Sequence, residues 1–199
     1  MKPYLIGLTG NIGCGKSAVA AMLEELGAEV VDADRLVHQL MEPGTDCWRA
    51  IAERFGPAIL RADDTIDRSA LGEIVFRDQA ALAALESILH PATWKLTEAR
   101  IASSTRSVVV LEAIKLIEAG WVDRVDSLWV VTCSREKQME RLTRDRGLTA
   151  PEALLRIDAQ PAAGEKVKRA DVVIDNGGTL TATRRQVEAA WDRMPRIQP

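Results

Sequence analysis

A chain of 199 residues, 47% hydrophobic and 28% charged with a formal net charge of -3, has material for one well-cored domain carrying a small inserted lobe, and too little for two large domains. That balance excludes a disordered chain and gives no reason to expect a nucleic-acid partner. Cys14, Cys47 and Cys133 are odd in number and widely spaced, which argues against a disulfide framework or a zinc site and fits a reducing compartment. One lysine and few apolar residues precede Gly10, and no run approaches the length of a membrane span, so neither a secretory leader nor a membrane partner is expected and the cytoplasm is the expected location.

Short apolar, β-branched runs at residues 4–9, 28–33, 107–113, 127–132 and 171–176 read as buried strands. A helical pattern follows the first run from about residue 16 to 26 and closes at Gly27, which accepts the left-handed conformation after a helix. Strand, helix, strand predicts a parallel sheet flanked by helices. About 70 residues separate the second and third strands, far more than a crossover needs, so residues 36–104 are expected to form an inserted helical lobe. Within it, residues 42–47 read as a turn and 56–69 as a loop with a short extended piece. One helix begins behind Asp67 or Ser69 as cap, and another covers 89–104, entered through Pro91 in its first turn.

Residues 134–169, between the fourth and fifth strands, carry Arg135, Lys137, Arg141, Arg144, Arg146, Arg156, Lys166, Lys168 and Arg169. Thr149 and Glu152, with Pro151 between them, make a capping-box pattern, so a second helix of this segment starts there. The segment reads as a helical lid whose guanidinium groups spread over phosphate oxygens; a solvated charged helical face is the plainer reading. The core is then expected from residues 1–35, 105–133 and 170–199, all in one domain.

Gly10, Gly15, Lys16 and Ser17 satisfy G-x-x-x-x-G-K-[ST], after an apolar strand and at the mouth of a helix. Glycines let the backbone wrap closely with its N–H groups turned inward, the helix start adds partial positive charge, Lys16 reaches the β and γ phosphates, and Ser17 offers a magnesium ligand. Cys14 inside this loop reads as a small side chain fitting a tight turn rather than as a redox group. No N-K-x-D motif occurs, which removes the base-reading signature of a guanine switch.

The second strand run ends in "VVDADRL", with Asp32 and Asp34 at its carboxyl end, where open α/β sheets bind ligands. Alternation puts both carboxylates on one side if the strand persists to Ala33. A carboxylate there can orient a hydroxyl nucleophile and accept its proton; capping of the following helix by Asp34 is the structural alternative. Glu112, after four apolar residues, reads as the acidic residue that holds magnesium directly or through water, or as one half of a salt bridge.

Taken in order, "GLTGNIGCGKS", "VVDADRL", "EPG" at 42–44, "FG" at 55–56, "IDRSALGEIVF" at 66–76, "LHP" at 89–91, "QMERL" from Gln138, "RIDAQ" from Arg156 and "ADVVIDNGG" from Ala170 resemble dephospho-coenzyme A kinases nearly end to end. The resemblance implies a P-loop core with a helical substrate lobe and a lid, and ATP-dependent phosphorylation of the ribose 3′-hydroxyl of dephospho-coenzyme A with magnesium, the last step of coenzyme A synthesis. By the same resemblance Asp34 is the base and Asp32 its companion on the strand. Residues Asn11, Ile12, Gly13, Cys14, Gly15, Lys16 and Ser17 hold the ATP phosphates, and Arg141 meets transition-state charge. Arg68, His90 and Glu112 lie on the substrate side with Asp32 and Asp34, and Asn176, on the ATP side, borders the loop forming the adenine wall. A monomer or small homo-oligomer is expected.

The chain departs from the family pattern at Ile114 and Lys115, where many members have a proline in an apolar "PLL" run, at Asn11 in place of a second glycine, at Asp64 in place of glycine, and at Asp145 in place of an arginine. A P-loop kinase of nucleosides or nucleotides, and a nucleotide-binding regulator without transfer activity, are the alternatives. A positioned carboxylate such as Asp34 has no use in the second.

Overall fold

The computed structural model describes residues 2–195; Met1 and residues 196–199, the outer ends of the expected core segments, lie outside the described residues. Two compact units emerge, one from Met1–Asp32 with Ser104–Pro199 and one from Ala33–Ser103.

The first unit is built on a five-stranded parallel sheet: β1 (Tyr4–Gly10), β2 (Glu29–Asp32), β3 (Val108–Glu112), β4 (Ser127–Thr132) and β5 (Val172–Asp175), in spatial order β2-β3-β1-β4-β5. The continuous apolar runs are explained by burial on both faces: every residue of β3 is buried, as is β1 after Tyr4. β5, at an edge, buries only Ile174. Ile6, Leu8, Val110 and Trp129 on the strands meet Val19, Leu23 and Val187 on helices in one cluster. Each such side chain, when fully buried, contributes about 1.5–3 kcal/mol.

Helix α1 (Lys16–Glu25) leaves the end of β1 and stops where Gly27 takes a φ of 105°. The expected strand at 28–33 is shorter than its apolar run, because the chain turns into helix at Ala33, and Asp34 sits inside that helix's first turn rather than capping it. The strand alternation that would have aligned Asp32 with Asp34 therefore does not apply. After β4 come α6 (Arg135–Arg146), α7 (Ala150–Asp158) and α8 (Ala163–Val167), then β5 and α9 (Leu180–Trp191). The capping box at Thr149 and Glu152 is present, with Thr149 N–H donating to Glu152 Oε2 at 2.8 Å. The stretch 113–119 after β3 is a run of turns that buries Ala113 and Leu116 and leaves Lys115 exposed.

The second unit is helical: α2 (Ala33–Leu40), α3 (Asp46–Phe55), a 3₁₀ turn (Pro57–Ile59), α4 (Arg68–Arg77) and α5 (Gln79–Ser103) around Ile51, Ile59, Leu71, Val75 and Leu89. Asp67 is the cap of α4, accepting from the N–H of Ser69 at 2.9 Å and of Ala70 at 3.2 Å. Asp64, where glycine was the family expectation, has a φ of 61°, so the residue is in the conformation that glycine would supply.

Pro91 overturns the expected helix start at 89, since α5 runs unbroken for 25 residues with Pro91 inside it. A proline there deprives one carbonyl of its helical donor. The stripe Ala81, Leu85, Ile88, Leu89 and Ala92, at helical spacing, packs into the core on both sides of Pro91. Burial outweighs the missing bond.

Candidate active site

The loop between β1 and α1 folds as a phosphate cradle. Gly13 and Gly15 have φ of 75° and 84°, in the left-handed region, and a Cβ on Gly15 would sit 2.2 Å from Asn176 Nδ2. Glycine is thus required there both by backbone conformation and by space. Cys14 N–H donates to Asn11 O at 3.1 Å, closing the turn, and Lys16 and Ser17 open α1, so the loop and the helix N-terminus present an anion site.

Two carboxylates end the strands on one side of β1. Asp32, the last residue of β2, is the register partner of Glu112, the last residue of β3. Glu112 is only 8% exposed, and Ser17 Oγ donates to its Oε1 at 3.2 Å. The donors are hard oxygens, and among the described residues no three His, Cys, Asp or Glu cluster to cage a metal. That set suits magnesium, which takes one or two protein oxygens and completes its shell with water and phosphate.

The carbonyl side of the cradle is held by side chains from the segment expected to be a lid. Arg141 Nη1 donates to Gly13 O and Cys14 O, both at 3.1 Å, and its Nη2 to Asn176 O at 2.8 Å. Asn176, 1% exposed, donates from Nδ2 to Cys14 O at 2.8 Å and accepts from Thr183 Oγ1 at 2.8 Å. Its side chain anchors the phosphate loop from the segment that follows β5. Asn11, also buried, donates to Pro161 O at 2.9 Å.

Sequence reading missed two residues. Gln160 Oε1 accepts from Ile12 N–H at 2.8 Å, while Gln138 Nε2 donates to Ile12 O at 2.6 Å. The Ile12 peptide is clamped from both ends by glutamines of α6 and of the turn after α7. The signal was present in "QMERL" and "RIDAQ", each of which carries one of the two glutamines, but spacing alone assigns them no partner.

Several of the segment's cations have local partners. Arg135 pairs with Asp158 at 2.6 Å, Lys137 with Glu140 at 2.7 Å, and Lys168 with Glu165 at 2.6 Å. Arg144 meets both Glu140 and Asp145, so the Asp145 departure neutralises a neighbouring arginine. Lys166, 3% exposed, donates to Ile114 O at 2.7 Å, which ties α8 to the turn after β3.

The helical unit collects its own polar group. Arg68 Nη1 donates to His38 Nε2 at 2.6 Å, and both line a cavity of about 360 Å³ with Glu42, Arg61 and Asp63. The "EPG" and "IDR" stretches thus meet at one cavity. His90 is exposed on α5 and does not line it, and Asp34 is exposed on the first turn of α2.

A family model described as Dephospho-CoA kinase matches residues 4–182. The dephospho-CoA kinase of Geobacter metallireducens is 50% identical over 190 residues, covering 94% of this chain and 94% of that protein. A crystal structure of a Thermus thermophilus protein superposes with a TM-score of 0.85 at 33% identity, covering 98% of this chain and 100% of the other. The dephospho-CoA kinase structure from Campylobacter jejuni gives a TM-score of 0.70 at 25% identity, with 96% of each chain covered. With its parallel sheet, phosphate loop and opposed strand-end carboxylates in hand, these matches over nearly the whole length mean that the chain belongs to the dephospho-CoA kinase family.

Proposed function

We propose that the protein transfers the γ-phosphoryl group of ATP to the ribose 3′-hydroxyl of dephospho-coenzyme A, giving coenzyme A and ADP. The observation that carries the phosphoryl-transfer half is the left-handed glycine loop opening α1 beside Ser17 and the buried Glu112. Family membership carries the choice of acceptor.

In this reading the N–H groups of residues 13–17 and the Lys16 ammonium bind and orient the β and γ phosphates. Ser17, and Glu112 directly or through water, would hold magnesium, which when bound neutralises phosphate charge. Asp34 accepts the proton of the 3′-hydroxyl as its oxygen attacks phosphorus, with Asp32 as a neighbouring acidic group. Arg141 adds positive charge at the cradle while fixing the Gly13 and Cys14 carbonyls. Arg68 binds the acceptor on the helical unit. His90 is the weakest of the substrate-side assignments, being exposed and away from the cavity that Arg68 lines. The cytoplasm, where ATP and magnesium are supplied, is the proposed location.

The direct test is to incubate the purified protein with ATP, magnesium and a panel of dephospho-coenzyme A, nucleosides and nucleoside monophosphates. Stoichiometric ADP and coenzyme A from the first acceptor alone is the expected result. Transfer to a nucleoside with none to dephospho-coenzyme A would replace the acceptor and keep the donor half.

A further inference from the structure

The structure sets a second sulfur beside the cysteine of the phosphate loop. Cys133 is the first residue after β4, and its Sγ lies 3.3 Å from Cys14 Sγ and 3.8 Å from Gly13 O. Nothing in the sequence spacing of 119 positions announces this pair. Cys14 is 1% exposed, whereas Cys133 is half-buried and gives a small oxidant a way in. The two thiols are not equivalent. A hydrogen bond from Cys133, together with the charges of Lys16 and Arg141, brings the Cys14 thiol down to about 7 against the cost of burial. Sharing that hydrogen with Cys14, and burial, push the Cys133 thiol up. One sulfur is thus the more acidic thiol and the other its proton-bearing neighbour.

We propose that Cys14 and Cys133 form a reversible disulfide that switches off the phosphate loop, with hydrogen peroxide as the oxidant. The Cys14 thiolate attacks one peroxide oxygen; the O–O bond breaks, and the departing hydroxide takes a proton to become water, leaving Cys14 as the sulfenic acid. The Cys133 sulfur then attacks the Cys14 sulfur. The S–O bond breaks, the S–S bond forms, and hydroxide leaves with the Cys133 proton as a second water. Two thiols lose two electrons, and one peroxide becomes two waters. A dithiol reductant reverses the bond by exchange.

The consequence for the loop follows from distance. A disulfide holds its sulfurs at about 2.05 Å, well inside the present 3.3 Å, so closure draws Cys14 toward the end of β4. The Cys14 carbonyl is the acceptor of both Arg141 and Asn176, and its neighbours Gly13 and Gly15 shape the cradle. A displacement of about 1 Å in groups that position a reacting phosphate costs on the order of a hundredfold in rate. This consequence rests on the loop being the ATP site; bond formation does not. Cys47, in the helical unit, is an internal control, because burial raises its thiol and its Sγ faces Ile88 O.

The test treats the whole protein with hydrogen peroxide at neutral pH, then reads intact mass, a non-reducing peptide map, ATP affinity and phosphoryl transfer. The expected outcome is a loss of about 2 Da, a single cross-linked peptide pair holding Cys14 and Cys133, and a fall in transfer of roughly tenfold or more, all restored by dithiothreitol. Cys133→Ser should keep untreated activity and show no 2 Da loss. Oxygen addition at Cys14 without a cross-link, a bond to Cys47, or a cross-link that leaves ATP affinity intact would each overturn the proposal. A cross-link that abolishes ATP binding, in a protein that never phosphorylated dephospho-coenzyme A, would support the switch and remove only the acceptor assignment.

Discussion

The two units handle polar groups in opposite ways. In the sheet unit the polar side chains around the phosphate loop are buried and hydrogen-bonded: Gln138, Asn176, Asn11 and Glu112 are all less than 9% exposed, and the peptides from Ile12 to Cys14 are held by side chains. In the helical unit the apolar core is separate from the polar groups, and Asp34, His38 and Arg68 stand exposed on helix starts and ends. A cradle for a triphosphate must be rigid before the ligand arrives, because loss of order in the transition state costs rate directly. An acceptor surface can remain solvated and gain its order on binding. Substitutions in the sheet unit are therefore expected to act on turnover, and those in the helical unit on acceptor affinity, with Asp34 as the exception.

The largest effect is expected at Lys16. Lys16→Ala should reduce transfer by about two to three orders of magnitude through lost stabilisation of the β and γ phosphates, measured as kcat/KM for ATP; transfer near the native rate would discredit the loop as the phosphate site. Next is the exception. Asp34→Asn should retain ATP affinity while turnover falls by about two or more orders of magnitude. Isothermal titration and steady-state rates on the same preparation separate those two quantities. If turnover holds and only the KM for acceptor rises, Asp34 belongs with the other helical-unit residues and is no base.

The same contrast explains what could be read from sequence. Strands such as 127–132 were legible because burial on both faces leaves an uninterrupted apolar run, and the loop was legible because its glycines and lysine are dictated by local backbone geometry. Pro91 misled because its local rule, no donor and hence a helix start, was outweighed by tertiary packing along 81–92. Asn176 and Arg141 were placed near the nucleotide, yet what they grip, the carbonyls of residues 13 and 14, is a contact across more than a hundred positions. Gln138 and Gln160 lie in motifs whose spacing assigns them no partner, for the same reason. The basic segment read as a field over phosphate, whereas Arg135, Arg144 and Lys168 are answered by carboxylates within it. Composition counts charges but not their partners.

A middle-sized effect tests whether the rigidity of the cradle is imposed from outside. Gln160→Ala removes the acceptor of the Ile12 N–H, leaving a half-buried donor unmet at about 1–3 kcal/mol, so kcat/KM for ATP should fall roughly tenfold. Gln160→Glu keeps an acceptor oxygen and should restore most of the loss, which a merely structural role in the turn would not predict. Equal damage from both substitutions would mean that the contact holds the turn after α7 and leaves the loop's own geometry untouched.

The smallest effect is expected at Arg68, on the solvated side of the contrast. Its guanidinium is exposed, it donates to His38 Nε2, and it has no part in the helical core. Arg68→Ala should leave the fold and the ATP parameters unchanged. The KM for dephospho-coenzyme A should rise by about tenfold, the worth of one hydrogen bond to a charged group. Arg68→Lys keeps the charge but not the planar fork, and its KM should lie between the two. A fall in kcat at unchanged KM would show that the helical unit contributes to the transition state through more than Asp34, and would erase the division of labour between rigid donor and solvated acceptor surfaces.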